Sequence, residues 1–213
     1  MVCHLCGADK PLIKAHIIAQ CVLEPLMVPN APLIKIAQDP SKHLKAYQTG
    51  EYDPEILCAQ CDNRFSPWET YTAHFLAKAR ECYAKRSRDD CYFIDQFDYE
   101  RLKLCVLSIL WRMSVSRRPA YDAVNLGPYE PVVRSMLLKA DAGDANTFAI
   151  AWLQLTGYIG SQSMFGVKRA QKSPTVYNVG LPGFLAAVKA PNAVDAVFAV
   201  IPYPSRVISM RKI

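Results

Sequence analysis

No stretch of this 213-residue chain approaches the roughly 18 uninterrupted apolar residues that a membrane-spanning helix needs, and no positively charged segment followed by an apolar run opens it. No membrane and no secretory leader are therefore expected, and the protein is expected in the cytoplasm. Internal repeats and low-complexity tracts are also missing, and a hydrophobic fraction of 51% argues for a packed core over disorder. A phosphate-cradling glycine loop is absent too, because Gly157-x-x-Gly160 lacks a third glycine and a following helix. Acidic residues are scarce in the last third. Residues 146–213 hold only Asp195, against Lys168, Arg169, Lys172, Lys189, Arg206, Arg211 and Lys212, so this segment carries the whole formal net charge of +6. A basic half of this kind suits a polyanion surface for nucleic acid, with solvated loops and a ragged C-terminus as the plainer alternative.

What the chain does have is a duplicated cysteine spacing. Cys3-His4-Leu5-Cys6 and Cys58-Ala59-Gln60-Cys61 are separated by 51 residues, and His16 lies between them. Each tight turn can present two thiolates to one ion, and four cysteines are a standard ligand set for structural Zn²⁺. The alternative is four free or disulfide-bonded cysteines, and a reducing compartment favours metal ligation over disulfides. Cys21, Cys82, Cys91 and Cys105 show no such pairing. Cys82 and Cys105 fall in apolar helical patterns and read as inert buried thiols.

The remaining pattern predicts an α+β protein with three regions. Residues 1–86 form the zinc-bearing module, punctuated early by prolines at 11, 25, 29, 32, 40 and 54, which imply loops and short strands. Within it, Ser66-Pro67-Trp68-Glu69 has the form of a capping box, followed by an apolar stripe through Trp68, Tyr71, Phe75, Ala79 and Cys82, so a helix is expected from here to about Arg86. Residues 87–145 are the helical region. A helix over Tyr99 to Val115, apolar nearly all round, is expected to be central and buried, and a third begins around Pro128 to Pro131. Residues 146–213 are the basic β-rich region, with strands expected at Phe148–Leu155, Thr175–Val179, Leu185–Val188 and Val194–Ile201. No long crossover helix separates these runs, so an antiparallel sheet is expected, either packed on the helices as part of one domain or standing apart.

With four thiolates available, an ion needs no further ligand, and His16 in Ala15-His16-Ile17-Ile18 is free for another role. Its ordinary pKa near neutrality suits a general base that takes a proton from water. Cys-x-x-Cys, then Ala-His-Ile-Ile, then Ile-Leu-Cys-x-x-Cys-Asp-Asn resembles the zinc-containing HNH endonucleases of the treble-clef, ββα-metal class, over about residues 3–75. Together with Phe65-Ser66, Glu69 and Ser108-Ile109-Leu110-Trp111-Arg112-Met113-Ser114-Val115-Ser116, it is similar to a group of bacterial HNH-like proteins. The resemblance implies an endonuclease that hydrolyses nucleic-acid phosphodiesters, DNA before RNA, with Mg²⁺ or Mn²⁺ as catalytic ion beside the structural zinc.

That pattern implies His16, Asp53, Asp62 and Asn63 as catalytic residues and Cys3, Cys6, Cys58 and Cys61 as metal ligands. The sequence departs from it in three places. Ala15 stands where many such enzymes have a metal-binding aspartate, Asp53 where they often have asparagine, and Asp62 where a histidine follows the second cysteine pair. Aspartates are good ligands for hard ions, so an active site and a zinc scaffold that only binds nucleic acid both remain open. A third class, an interaction protein built around the C-terminal sheet, would use its basic residues on protein or a small anion. Among the other polar residues, Glu69 reads as a capping-box member, His74 and His4 as solvated, and His43 as a lysine-flanked phosphate contact. Arg112, on an otherwise apolar helix, requires a partner such as a carboxylate.

Overall fold

The computed structural model describes residues 1–27, 33–35, 45–47, 49–84, 91–94, 97–155, 168–172, 175–191 and 205–209. His43, Gly157, Gly160 and the strand expected at Val194–Ile201 lie outside them. The chain opens with a tight loop in which Val2 bridges Asp9, Cys3 N–H donates to the Ala8 carbonyl and Gly7 N–H to that of Cys3. Gly7 sits at φ +72°, a left-handed conformation that side chains rarely adopt, so glycine is what lets this turn close. Leu12 then bridges Cys58, and Ile13 N–H donates to the Leu57 carbonyl, which draws the second cysteine turn against the first.

Strand β1 (Ala15–His16) pairs antiparallel with β4 (Tyr52–Asp53), Ala15 opposite Asp53 and His16 opposite Tyr52. Between them lie helix α1 (Gln20–Leu23) and the antiparallel pair β2 (Leu33–Lys35) and β3 (Lys45–Tyr47). Helix α2 (Ala59–Asn63) starts at the second cysteine turn, with Cys58 as its N-terminal cap residue.

Helix α3 (Ser66–Ala84) follows almost at once. The carbonyl of Phe65, not of Ser66, accepts the first bonds of this helix, from Trp68 and Glu69 N–H, so the capping box expected at Ser66 does not form. Glu69 is instead turned inward. Helix α4 (Tyr99–Val115) has the expected bounds, is capped by the Asp98 side chain on Arg101 N–H, and is buried continuously from Leu102 to Met113. A 3₁₀ turn at Gly127–Tyr129 leads into α5 (Glu130–Lys139), which ends on Ala140 in a left-handed conformation.

Strand β5 (Cys91–Phe93) precedes α4, and β6 (Ala149–Leu155), β7 (Lys168–Lys172), β8 (Thr175–Leu181), β9 (Phe184–Lys189) and β10 (Ser205–Ser209) follow α5. They form one sheet in the order β5-β10-β6-β9-β8-β7. The expected antiparallel pairing holds from β10 through β7, but β5 runs parallel to β10 at the edge. The helical region therefore donates a strand to the sheet, across the boundary expected at residue 146. One face of the sheet packs on the helices: Trp152 lies 6.1 Å from Phe75 between ring centres, and Arg80 of α3 donates to the Pro182 carbonyl. Buried side chains from Cys3 to Ala190 form one continuous cluster. The opposite face carries a smaller cluster of Leu153, Leu155, Val176, Leu185 and Ala187, as period-two alternation requires. Among the described residues no helix is long and apolar enough to cross a membrane.

Candidate metal centre and histidine cluster

The two cysteine turns meet. The sulfur atoms of Cys3, Cys6, Cys58 and Cys61 all lie within 4.8 Å of one another, with Cys3, Cys58 and Cys61 buried and Cys6 half-buried. Zinc–sulfur bonds of about 2.3 Å in a tetrahedron require sulfur separations of about 3.8 Å, so the cluster can hold a metal ion such as zinc after a small contraction. Among the described residues it is the only such convergence of three or more ligand groups. Burial pushes the Cys3 thiol up, but the backbone N–H groups of Cys6, Cys58 and Leu5 and the Cys6 thiol bring it down to about 7. Cys58 N–H donates to Cys3 Sγ at 3.4 Å. The Cys61 thiol is pushed up by burial and by its contacts with Cys58, Cys6 and Cys3. Four thiols crowded in this way cannot all ionise by themselves, and a dication removes the obstacle because it deprotonates the thiols it binds.

Two arginines fasten the cysteine module to α5. Arg134 Nε donates to the Leu5 carbonyl inside the first turn at 2.7 Å, and Arg64 Nη1 to the Leu138 carbonyl at 2.8 Å. Neither had a sequence signal, since each pairs with a backbone atom far along the chain.

His16 emerges beside the second turn, half-buried, and is not part of the cysteine cluster. Its Nε2 lies 3.2 Å from Thr49 Oγ1, and Nδ1 makes no hydrogen bond among the described residues. Its carbonyl accepts from Arg112 Nη1 at 2.6 Å, which ties the strand to the central helix. Arg112 in turn pairs through Nη2 with Glu69 Oε1 at 2.5 Å and with Ser108 Oγ at 3.1 Å, and its guanidinium covers the Phe65 ring at 5.1 Å. The carboxylate partner expected for Arg112 is thus Glu69. Asp62, the residue after Cys61, completes the group. Burial raises its carboxyl above the usual range, Arg112 opposes the shift, Glu69 adds to it, and His16 opposes it. His16, Asp62, Glu69 and Arg112 therefore share one electrostatic neighbourhood.

Asp53 stands apart from that neighbourhood. It faces the other side of the β1/β4 ladder with Ala15, is buried, and both its oxygens are engaged, Oδ1 by Glu55 N–H at 2.9 Å and Oδ2 by the Ser116 hydroxyl at 2.6 Å. Its observed work is to hold the turn after β4 to the end of α4. Asn63 is exposed at the end of α2, and His74 is exposed on α3. His4 is half-buried and lines, with Asp53, Glu55 and Arg117, a shallow depression of about 260 Å³ on the far side of the ladder. Cys105 is wholly buried, its thiol pushed up to about 12 chiefly by burial, in keeping with an inert core residue, whereas Cys82 is only half-buried. Comparison of the chain with protein-family models, curated proteins and solved structures finds no match.

Proposed function

We propose that this protein is a metal-dependent nuclease of the HNH type, hydrolysing nucleic-acid phosphodiester bonds, with a structural zinc ion held by Cys3, Cys6, Cys58 and Cys61. The observation that carries the reading is the clamped histidine: Arg112, paired with Glu69, fixes the His16 main chain against the core, and His16 lies within electrostatic influence of Asp62, the residue after the second cysteine pair. In the neutral tautomer whose Nε2–H donates to Thr49 Oγ1, Nδ1 is the acceptor nitrogen. It can take the proton from a water whose oxygen bonds to phosphorus as the ester P–O bond breaks. Mg²⁺ or Mn²⁺, when bound, would neutralise charge on the scissile phosphate. Ions of this kind use one or two carboxylates, with waters and substrate phosphate oxygens as the other ligands, and Asp62 fits that role.

A second reading, a zinc-stabilised module that binds nucleic acid without cutting it, is favoured by one observation. Asp53 is committed to the turn and Asn63 is exposed, which leaves Asp62 as the one partly accessible carboxylate of the two aspartates expected at the site. Incubating the purified protein with plasmid DNA and with RNA, in Mg²⁺, Mn²⁺ or chelator, separates the two. Cleavage that needs the ion and is abolished by His16→Ala, with folding and zinc content unchanged, is expected. A fully active His16→Ala protein would overturn the mechanism, and no cleavage under any ion would favour the binding module.

A further inference from the structure

The ladder that carries His16 presents a second side chain on the same face. Residues directly opposite in an antiparallel pair point the same way with Cβ atoms roughly 5 Å apart, and the residue opposite His16 is Tyr52. Tyr52 is 38% exposed, the one large aromatic ring among the described residues that stands at the surface. Two cations attend it: Lys14 Nζ lies 5.4 Å from the ring centre and the Arg118 guanidinium carbon 5.5 Å. Both are exposed, and neither has a carboxylate partner among the described residues. The acids on either side of it in the chain, Glu51 and Asp53, alternate to the other side of the strand, where Glu51 accepts from the Tyr121 hydroxyl and Asp53 from the Ser116 hydroxyl.

An exposed aromatic ring between two uncompensated cations has a specific use. We propose that Tyr52, with Lys14 and Arg118, is a stacking platform for an unpaired nucleobase of a DNA strand whose backbone passes His16. A cation–ring contact at the surface is worth about 2- to 5-fold in an equilibrium, while stacking a base on an aromatic side chain is worth about 5- to 150-fold. An incoming base therefore replaces a cation on the ring and frees it to meet the adjoining phosphate. A base inside a duplex keeps its faces covered, so the platform selects single strands, frayed ends or extruded nucleotides. The inference rests on reading the site as one that engages nucleic acid, and it narrows the substrate class.

The test measures binding with the zinc retained and no Mg²⁺ or Mn²⁺ added, so that cleavage plays no part. A labelled single strand of about 12 nucleotides and its duplex are titrated against the natural protein, Tyr52→Ala and Tyr52→Trp, by fluorescence anisotropy. The natural protein is expected to prefer the single strand by about tenfold or more, Tyr52→Ala to lose about 5- to 150-fold, and Tyr52→Trp to retain affinity. A single abasic position moved along the strand should weaken the natural protein at one register and leave Tyr52→Ala indifferent to register, which a merely structural role for the ring would not produce. Equal affinity for duplex and strand, no binding of either, or an abasic profile unchanged by Tyr52→Ala would each overturn the platform. Tyr52-dependent strand binding without cleavage under any ion would sink the nuclease reading alone, whereas duplex cleavage that Tyr52→Ala leaves intact would sink the platform alone.

Discussion

Replacing Glu69 by alanine removes the only carboxylate, among the described residues, that pairs with a guanidinium 1% exposed to solvent. Arg112 keeps its bonds to the Ser108 carbonyl at 3.3 Å, the Ser108 hydroxyl at 3.1 Å and the His16 carbonyl at 2.6 Å, but these are neutral partners and leave a buried charge uncompensated. Breaking a buried ion pair from one side costs about 3–5 kcal/mol. For a chain of this length each kcal/mol moves the melting temperature by about 2–4 °C, so Glu69→Ala is expected to melt about 6–20 °C below the natural protein. Replacing both partners by methionine removes the charge along with its counter-charge. The Glu69→Met/Arg112→Met double variant should therefore be more stable than the sum of its single variants implies, by about 2 kcal/mol or more. Urea unfolding followed by circular dichroism, with zinc present throughout, measures Glu69→Ala, the two single methionine variants and the double variant. Cleavage at a temperature where every variant is folded should fall in both Arg112 variants, because the His16 carbonyl has lost its donor. A Glu69→Ala protein within about 1 kcal/mol of the natural one, or strictly additive single effects, would refute the claim that this pair clamps the histidine strand.

Metal removal tests the cysteine cluster. The protein should purify with about one zinc per chain, and Cys58→Ser should lose the ion and unfold the N-terminal module, because the site joins segments 51 residues apart in the chain; elemental analysis and limited proteolysis report both, and reduced protein free of zinc would refute the assignment. The basic edge strand gives a separate expectation. Lys168, Arg169 and Lys172 lie on β7, the outer strand of the sheet, where charge also guards against strand-to-strand association. If they meet phosphates, neutralising all three should weaken nucleic-acid binding and reduce the slope of log affinity against log salt by about one for each phosphate no longer neutralised. An unchanged slope would assign these charges to edge protection.

The sequence by itself determined the features that depend on short-range spacing. Two Cys-x-x-Cys turns can each offer a pair of thiolates whatever the rest of the chain does, and the apolar run from Leu102 to Met113 can only be a helix surrounded by protein, so α4 was legible to its ends. The short β-prone runs Phe148–Leu155, Thr175–Val179 and Leu185–Val188, set off by Gly, Pro, Asn and Ser, announced strands β6, β8 and β9 in the same way, and with them the α+β class. Less regular strands escaped notice: β5, β7 and β10 are short segments, and no periodicity in so few residues distinguishes a strand from a loop.

Tertiary structure decided the roles of the polar residues. Glu69 stands three positions after Ser66 and has the local form of a capping residue. The helix instead takes its first bonds at Phe65, and a guanidinium 43 residues away claims the carboxylate. Asp53 and His16 both lie on the two-residue ladder and looked equally fit for catalysis, but strand alternation puts them on opposite faces, where Asp53 holds a turn and Tyr52 takes the position across from the histidine. The same holds for β5, whose parallel partner β10 arrives only at the far end of the chain. A side chain's propensity is a property of its neighbours in sequence, whereas its partner is set by which backbone segments the core brings together, and a buried charge or a ladder face has no meaning until that packing exists.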